Sequence, residues 1–289
     1  MIKKAAKQNY AIVLITLVLI IAINFVIAGD VAYIYKKKFN VDQNIVNVFN
    51  EMNLKVDLIN EVNLTKPGFS LAGYKIIFLG DERYSYASKI PVGSVPTIIS
   101  NYYYGYLWGL TDNDGVSKLA ATDPLSVRRG SFIEQVYTRA KYEINVISIP
   151  YYYLGNNNKV PAMKKVAGTY TGNDIDLGDV ISYANAGTIL TNGKSIKGNI
   201  CFFGIIESRF WTDQARNMFK DCVNFVGTTC SKDSDCPSGI TGTNYCKDGD
   251  VYKDVSGYKC INPGTASSKC VNQNESILVS KCSFGCLNG

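Results

Sequence analysis

Short apolar runs alternate with amphipathic stretches from Asp30 to about Gly227, and this alternation organises most of the chain. Val31-Ala-Tyr-Ile-Tyr35 predicts a first strand. Val41, Ile45, Val48, Phe49 and Met52 then recur at helical spacing, opened by Asn40 with Gln43 three residues on, a capping-box pattern. Further strands are predicted at Lys55–Ile59, Ile76–Leu79, Thr97–Ser100, Ile144–Ile149, Thr188–Thr191 and Ile200–Ile206. Their near-continuous apolar character suits strands covered on both faces. A last helix is predicted with Thr212 as N-cap and with Ala215, Met218, Phe219, Cys222 and Val226 on one face. This alternation of strand and helix predicts a mostly parallel, doubly wound α/β sheet over residues 30–227.

The two ends of the chain follow other patterns. Residues 11–28 carry no charge and as a helix would span about 27 Å, enough to cross a bilayer core. Lys3, Lys4 and Lys7 before this run favour an N-terminus held in the cytosol, although Lys36, Lys37 and Lys38 soon after it weaken the charge argument. Residues 1–28 therefore read either as a signal peptide cleaved near Ala28 or as an uncleaved membrane anchor with the C-terminus outside.

At the other end, residues 228–289 hold Cys230, Cys236, Cys246, Cys260, Cys270, Cys282 and Cys286 among Gly, Ser, Asn, Asp, Lys and Thr, with few aliphatics. Such a segment cannot offset its chain entropy by apolar burial, whereas covalent closure of a 15-residue loop contributes about 3 kcal/mol. Disulfides, and with them an oxidising extracytoplasmic compartment, are expected. A zinc site would call for Cys-x-x-Cys knuckles or histidines, and neither is present. Seven is odd, so one tail cysteine is free, pairs between chains, or reaches Cys201 or Cys222. Those two read equally as small hydrophobes in the core or as a bonded pair. Asn63-Leu-Thr65 and Asn274-Glu-Ser276 are glycosylation sequons compatible with export. Asp233, Asp235, Asp248 and Asp250 do not match the spacing of an EF-hand loop.

A chain of 289 residues with 46% apolar residues can build one sizeable core plus a small accessory unit. Half of the net charge of +6 comes from the three lysines at the extreme N-terminus, and no basic stripe with interleaved aromatics appears, so no nucleic-acid partner is expected.

Tyr74-Lys-Ile-Ile-Phe-Leu-Gly-Asp81 and Val95-Pro-Thr-Ile-Ile-Ser-Asn101 resemble the third strand and nucleophile-elbow region of class I glutamine amidotransferase-like domains. Asn192-Gly-Lys194, Gly198-Asn-Ile-Cys-Phe-Phe-Gly204, Glu207-Ser-Arg209 and Trp211-Thr212 are similar to the ThuA-like branch of that group. The resemblance implies a flavodoxin-like or amidotransferase-like sheet with its site at the carboxyl edge. It also implies a catalytic cysteine near Asn101, where Ser100, Asn101 and Tyr102 stand instead, and a histidine that this chain lacks entirely. The tail resembles cysteine-rich modules of secreted archaeal proteins.

The lack of histidine excludes Cys-His and Ser-His-Asp chemistry and any His-ligated metal. Ser100, with no base to take its proton, reads as a strand-end residue. The Lys36-Lys-Lys-Phe-Asn40 loop has no glycine to bring backbone amides against a pyrophosphate, so no cofactor is expected, although its lysines could attract an anion. Asp81, Glu82 and Glu207 should gather at the carboxyl edge with Asn101, Tyr102 and Arg209, as ligand-binding residues or, in a carboxylate-dependent glycoside hydrolase, as acid and base. Tyr102-Tyr-Tyr104, Tyr106, Trp108 and Tyr151-Tyr-Tyr153 would lie near the same edge, suited to sugars or an envelope-protein partner. The expectation is an exported, non-catalytic envelope protein that binds a ligand such as a glycan. The alternatives are the hydrolase and a structural component cross-linked through the odd cysteine.

Overall fold

In the computed structural model of the protein, residues 29–112, 116–120, 126–138, 150–236, 240–266, 268–282 and 286 are described. The N-terminal run of residues 11–28 and the strand expected at 144–149 lie outside them. Among the described residues no helix is long and apolar enough to cross a membrane.

Among the described residues the main body is one mixed sheet of 11 strands. Its parallel half holds β1 (Val31–Tyr35), β2 (Val56–Asn60), β3 (Ile76–Leu79), β4 (Thr97–Ile99) and β11 (Ile200–Phe203), in the order β2-β1-β3-β4-β11. Next to β11 the direction reverses. There β10 (Asp176–Ala184), β9 (Lys164–Tyr170), β6 (Ser126–Arg129) and β7 (Phe132–Gln135) continue the sheet as antiparallel neighbours. β8 (Pro150–Gly155) pairs antiparallel with both β10 and β5 (Val116–Ala120).

The expected burial on both faces is present in β1, β3, β4 and β11, where alternate residues sort into two cores, whereas Leu58 of the edge strand β2 is exposed. Val31, Tyr33, Ile76, Phe78, Ile98, Cys201 and Phe203 face one core. Ala32, Ile34, Ile77, Leu79, Ile99, Ile200 and Phe202 face the other. The first core is covered by α1 (Gln43–Glu51) and α2 (Asp213–Gly227), with Phe49, Phe78, Phe203 and Phe219 meeting edge to face. Among the described residues no α-helix covers the second core. It is closed by Tyr84, Ile90, Trp108, Leu110, Leu190 and Ile196 from irregular segments.

The fold is therefore not the doubly wound α/β sheet expected. Among the described residues both α-helices lie on one face, and half of the sheet is antiparallel. Apolar runs report that a strand is covered, not what covers it, and hairpin-linked strands such as β9 and β10 need no crossover helix. The strand expected at Thr188–Thr191 is a turn with a single bridge between Ile189 and Ser195, and Ile189 is exposed. The expected capping box is also absent at α1. Asp42 is the N-cap, its carboxylate accepting from the Asn44 and Ile45 amides. Thr212 caps α2 as the pattern predicts, its hydroxyl accepting from the Ala215 amide, and the predicted apolar face of α2 is buried.

Cys201 and Cys222 form a disulfide that joins β11 to α2 inside the first core. The tail is a separate three-stranded antiparallel sheet of β12 (Ile240–Lys247), β13 (Asp250–Ile261) and β14 (Lys269–Ser280). Disulfides Cys230–Cys260, Cys236–Cys270 and Cys246–Cys286 close it, and Cys282 is the odd thiol. Ala266 anchors the tail on the body. It belongs to the first core, and a Cβ on Gly227 would come within 2.8 Å of its methyl group. Asn224 Oδ1 accepts from the Ala266 amide at 3.0 Å.

Candidate functional site at the carboxyl edge of the parallel strands

A cleft of about 640 Å³ opens where β1, β3, β4 and β11 end and α1 begins. This is the edge on which open α/β sheets place their ligands, because the loops there diverge from a rigid base. Asp81, Glu82, Glu207 and Arg209, expected at this edge, line it together with Ser100, Asn40, Gln43, Asn44 and Ser208. Phe39, largely exposed, and Trp211 supply aromatic surface.

Each carboxylate has a distinct setting. Asp81, just beyond β3, accepts from the Tyr102 amide at 3.2 Å and from the Tyr152 hydroxyl at 2.6 Å. Burial, with the charge of Asp81 and the hydrogen bond to it, holds the Tyr152 phenol far above its ordinary range, so Tyr152 is a neutral donor. Tyr152 reaches this position because β8 runs close to the end of β11. Its amide donates to Gly204 O at 2.8 Å, and a Cβ on Gly204 would lie 1.9 Å from Tyr152 O, a contact only glycine permits.

Glu82 is buried and engaged in structure. Its Oε2 accepts from the Lys37 amide at 3.2 Å and from Asn40 Nδ2 at 3.1 Å, which fixes the loop after β1. Glu207 pairs with the exposed Arg209 at 3.2 Å, while its amide donates to Tyr137 Oη.

Two expected site residues act as framework. Asn101 is buried, and its Nδ2 donates to Gly80 O at 2.8 Å and to Glu82 O at 2.9 Å, tying the exits of β3 and β4 together. Tyr102 packs on Tyr152 with ring centroids 5.0 Å apart. Neither residue is among those lining the cleft. Lys36, Lys37 and Lys38 are not among them either, and Lys36 Nζ donates to Arg83 O. Of the tyrosine clusters, Tyr104, Trp108, Tyr151 and Tyr152 pack inward while Tyr103 and Tyr106 stay exposed.

The sequence reading missed Asp42, Asn44, Ser208 and Tyr33. Asp42 Oδ2 accepts from Ser208 Oγ at 2.6 Å, and Asn44 Nδ2 donates to the same hydroxyl at 3.1 Å, so the start of α1 is laced to the loop after β11. Tyr33 Oη accepts from the Asp42 amide at 3.0 Å. Burial first, and then the Asp42 and Glu82 charges against the opposing amide bond, raise the Tyr33 phenol well above its usual range. The capping pattern was the one available signal, and it pointed to Asn40 rather than to Asp42.

In the tail, the sulfurs of Cys230, Cys236 and Cys270 lie within 4.8 Å of one another, but each is committed to a disulfide and offers no thiolate to a metal. Asn63 is half-buried and Asn274 is exposed on β14.

The chain matches no family model, and no curated protein matches it significantly.

Proposed function

We propose that the protein is an extracytoplasmic binding protein that holds a neutral, polyhydroxylated ligand such as a glycan in the cleft at the carboxyl edge, without turning it over. One observation carries this reading: the cleft offers carboxylate acceptors and amide groups beside aromatic surface, with each carboxylate already engaged by a neighbouring donor. Hydroxyl groups pair well with carboxylates and amides, and sugar C–H faces lie well on Phe39 and Trp211. Hydrolysis would instead need one carboxyl group holding a proton for the leaving oxygen. Asp81 accepts at both oxygens and Glu207 faces a guanidinium, so each is arranged as an acceptor. Four disulfides support placement outside the reducing cytosol.

A glycan panel scored for both binding and turnover tests the proposal. Binding without turnover is expected, and Glu207→Gln should weaken it by roughly tenfold, the worth of one charge-assisted hydrogen bond. Turnover abolished by Glu207→Gln would establish the hydrolase instead.

A second reading, a structural component joined to its neighbours, draws on Cys282 and on the exposed Ile277, Leu278 and Val279 of the edge strand β14. Non-reducing electrophoresis that shows only monomer would remove it.

A further inference from the structure

Asp179, on β10, is fully buried, and two ammonium groups converge on it. Lys159 Nζ donates to Oδ1 at 2.7 Å, and Lys165 Nζ, from β9, lies 3.3 Å from the same oxygen. Lys165 also donates to Asp176 and so is held between two carboxylates. Burial acts most strongly on Lys165 and lowers its pKa. The hydrogen bond to Asp176 and the charges of Asp179 and Asp176 outweigh that effect and leave the pKa raised. A Cβ on Gly168 would lie 3.2 Å from Lys165 Nζ, so glycine leaves the room that this side chain occupies. Asp179 Oδ2 is buried too, yet it has no hydrogen-bond partner among the described residues.

We propose that Lys159 and Asp179 condense to an intramolecular isopeptide bond in the mature protein. A buried carboxylate oxygen with no partner is destabilising, and conversion of the carboxyl group to an amide removes it. A lysine nitrogen held against a carboxyl group brings together the two atoms that amide formation must join, and fixed proximity lowers the entropic barrier that limits the reaction in solution. Lys159 Nζ attacks Asp179 Cγ and the C–N bond forms as negative charge develops on Oδ1. The Lys165 ammonium, aimed at Oδ1 and steadied by Asp176, offsets that charge. Of the three protons on the Lys159 ammonium one stays on the amide nitrogen and the other two pass to Oδ2; the C–Oδ2 bond breaks and this oxygen leaves as water. No oxidant or cofactor is consumed. The product keeps Oδ1 as an amide oxygen facing Lys165 and no longer contains the unpartnered oxygen.

The bond would close a stretch spanning 20 residues, from the turn after β8 to β10. It would staple the antiparallel half of the sheet, which holds no disulfide among the described residues. Peptide mapping by mass spectrometry of the full chain from its native compartment tests the proposal, independently of any ligand in the cleft. The expected result is a branched peptide that joins the Lys159 and Asp179 segments and weighs one water less than their sum. Lys159→Arg keeps a cation on Asp179 and should return both segments as linear peptides, with a lowered Tm. Linear peptides from the wild type would overturn the proposal, and a branch at Lys165 would overturn the choice of Lys159 as nucleophile.

Discussion

The body and the tail order their chains by different means. On the parallel half of the large sheet two apolar clusters fill both faces, with Phe49, Phe78, Phe203 and Phe219 at the centre of one. In β12, β13 and β14, by contrast, Cys260 is the one buried residue among the described side chains, and β14 is exposed from Gln273 to Ser280. The tail compensates with three disulfides whose cysteines lie 30, 34 and 40 residues apart. Loops of that length correspond to about 3–5 kcal/mol each in the chain-entropy model, the scale on which a whole small domain is stable. In the body the single disulfide lies inside an already complete core. Burial thus holds the body that carries the cleft, and sulfur holds the tail, which buries little apolar surface.

The largest test of this contrast is reduction. A thiol reductant should abolish hydrogen-exchange protection in β13 while β1 and β3 stay protected, because the tail has no core to fall back on. Cys246–Cys286 should open first, since Cys246 is exposed, and Cys201–Cys222 last, since both of its residues are fully buried. Equal loss of protection in both regions would break the comparison. Next in size are paired truncations. Phe219→Ala should cost the body about 3–5 kcal/mol in denaturant unfolding, whereas Tyr252→Ala on the half-buried face of β13 should cost about 1 kcal/mol or less. The smallest effect is local. Thr212→Ala removes the N-cap of α2 and should cost about 1 kcal/mol, read as a modest fall in the body's Tm with tail exchange unchanged.

What was legible in the sequence follows the same division. β1, β3, β4, β11 and α2 have apolar runs or a one-sided stripe strong enough to be read directly, and they form as expected. The antiparallel strands were harder to read. β9 begins with Lys164 and Lys165, β10 carries Asp176 and Asp179, and the register between them shifts at Asp176/Gly178 and Asp179/Ile181, so strict alternation fails along the strands that reverse the sheet. The tail's dependence on disulfides was legible from composition, but its pairing was not, because spacing does not determine which sulfurs meet. At the cleft, Asp81 and Glu207 could be placed because strand ends define the edge. The roles of Glu82 and Asn101 as loop ties, and the Asp42–Ser208–Asn44 contact, depend on α1 meeting the loop after β11, which no local pattern encodes.

The most direct test of the division is disulfide mapping of protein taken from its native compartment without reduction. The account predicts four linkages, Cys201–Cys222, Cys230–Cys260, Cys236–Cys270 and Cys246–Cys286, with Cys282 outside all of them. Tail cysteines recovered as thiols, or holding a metal, would contradict it.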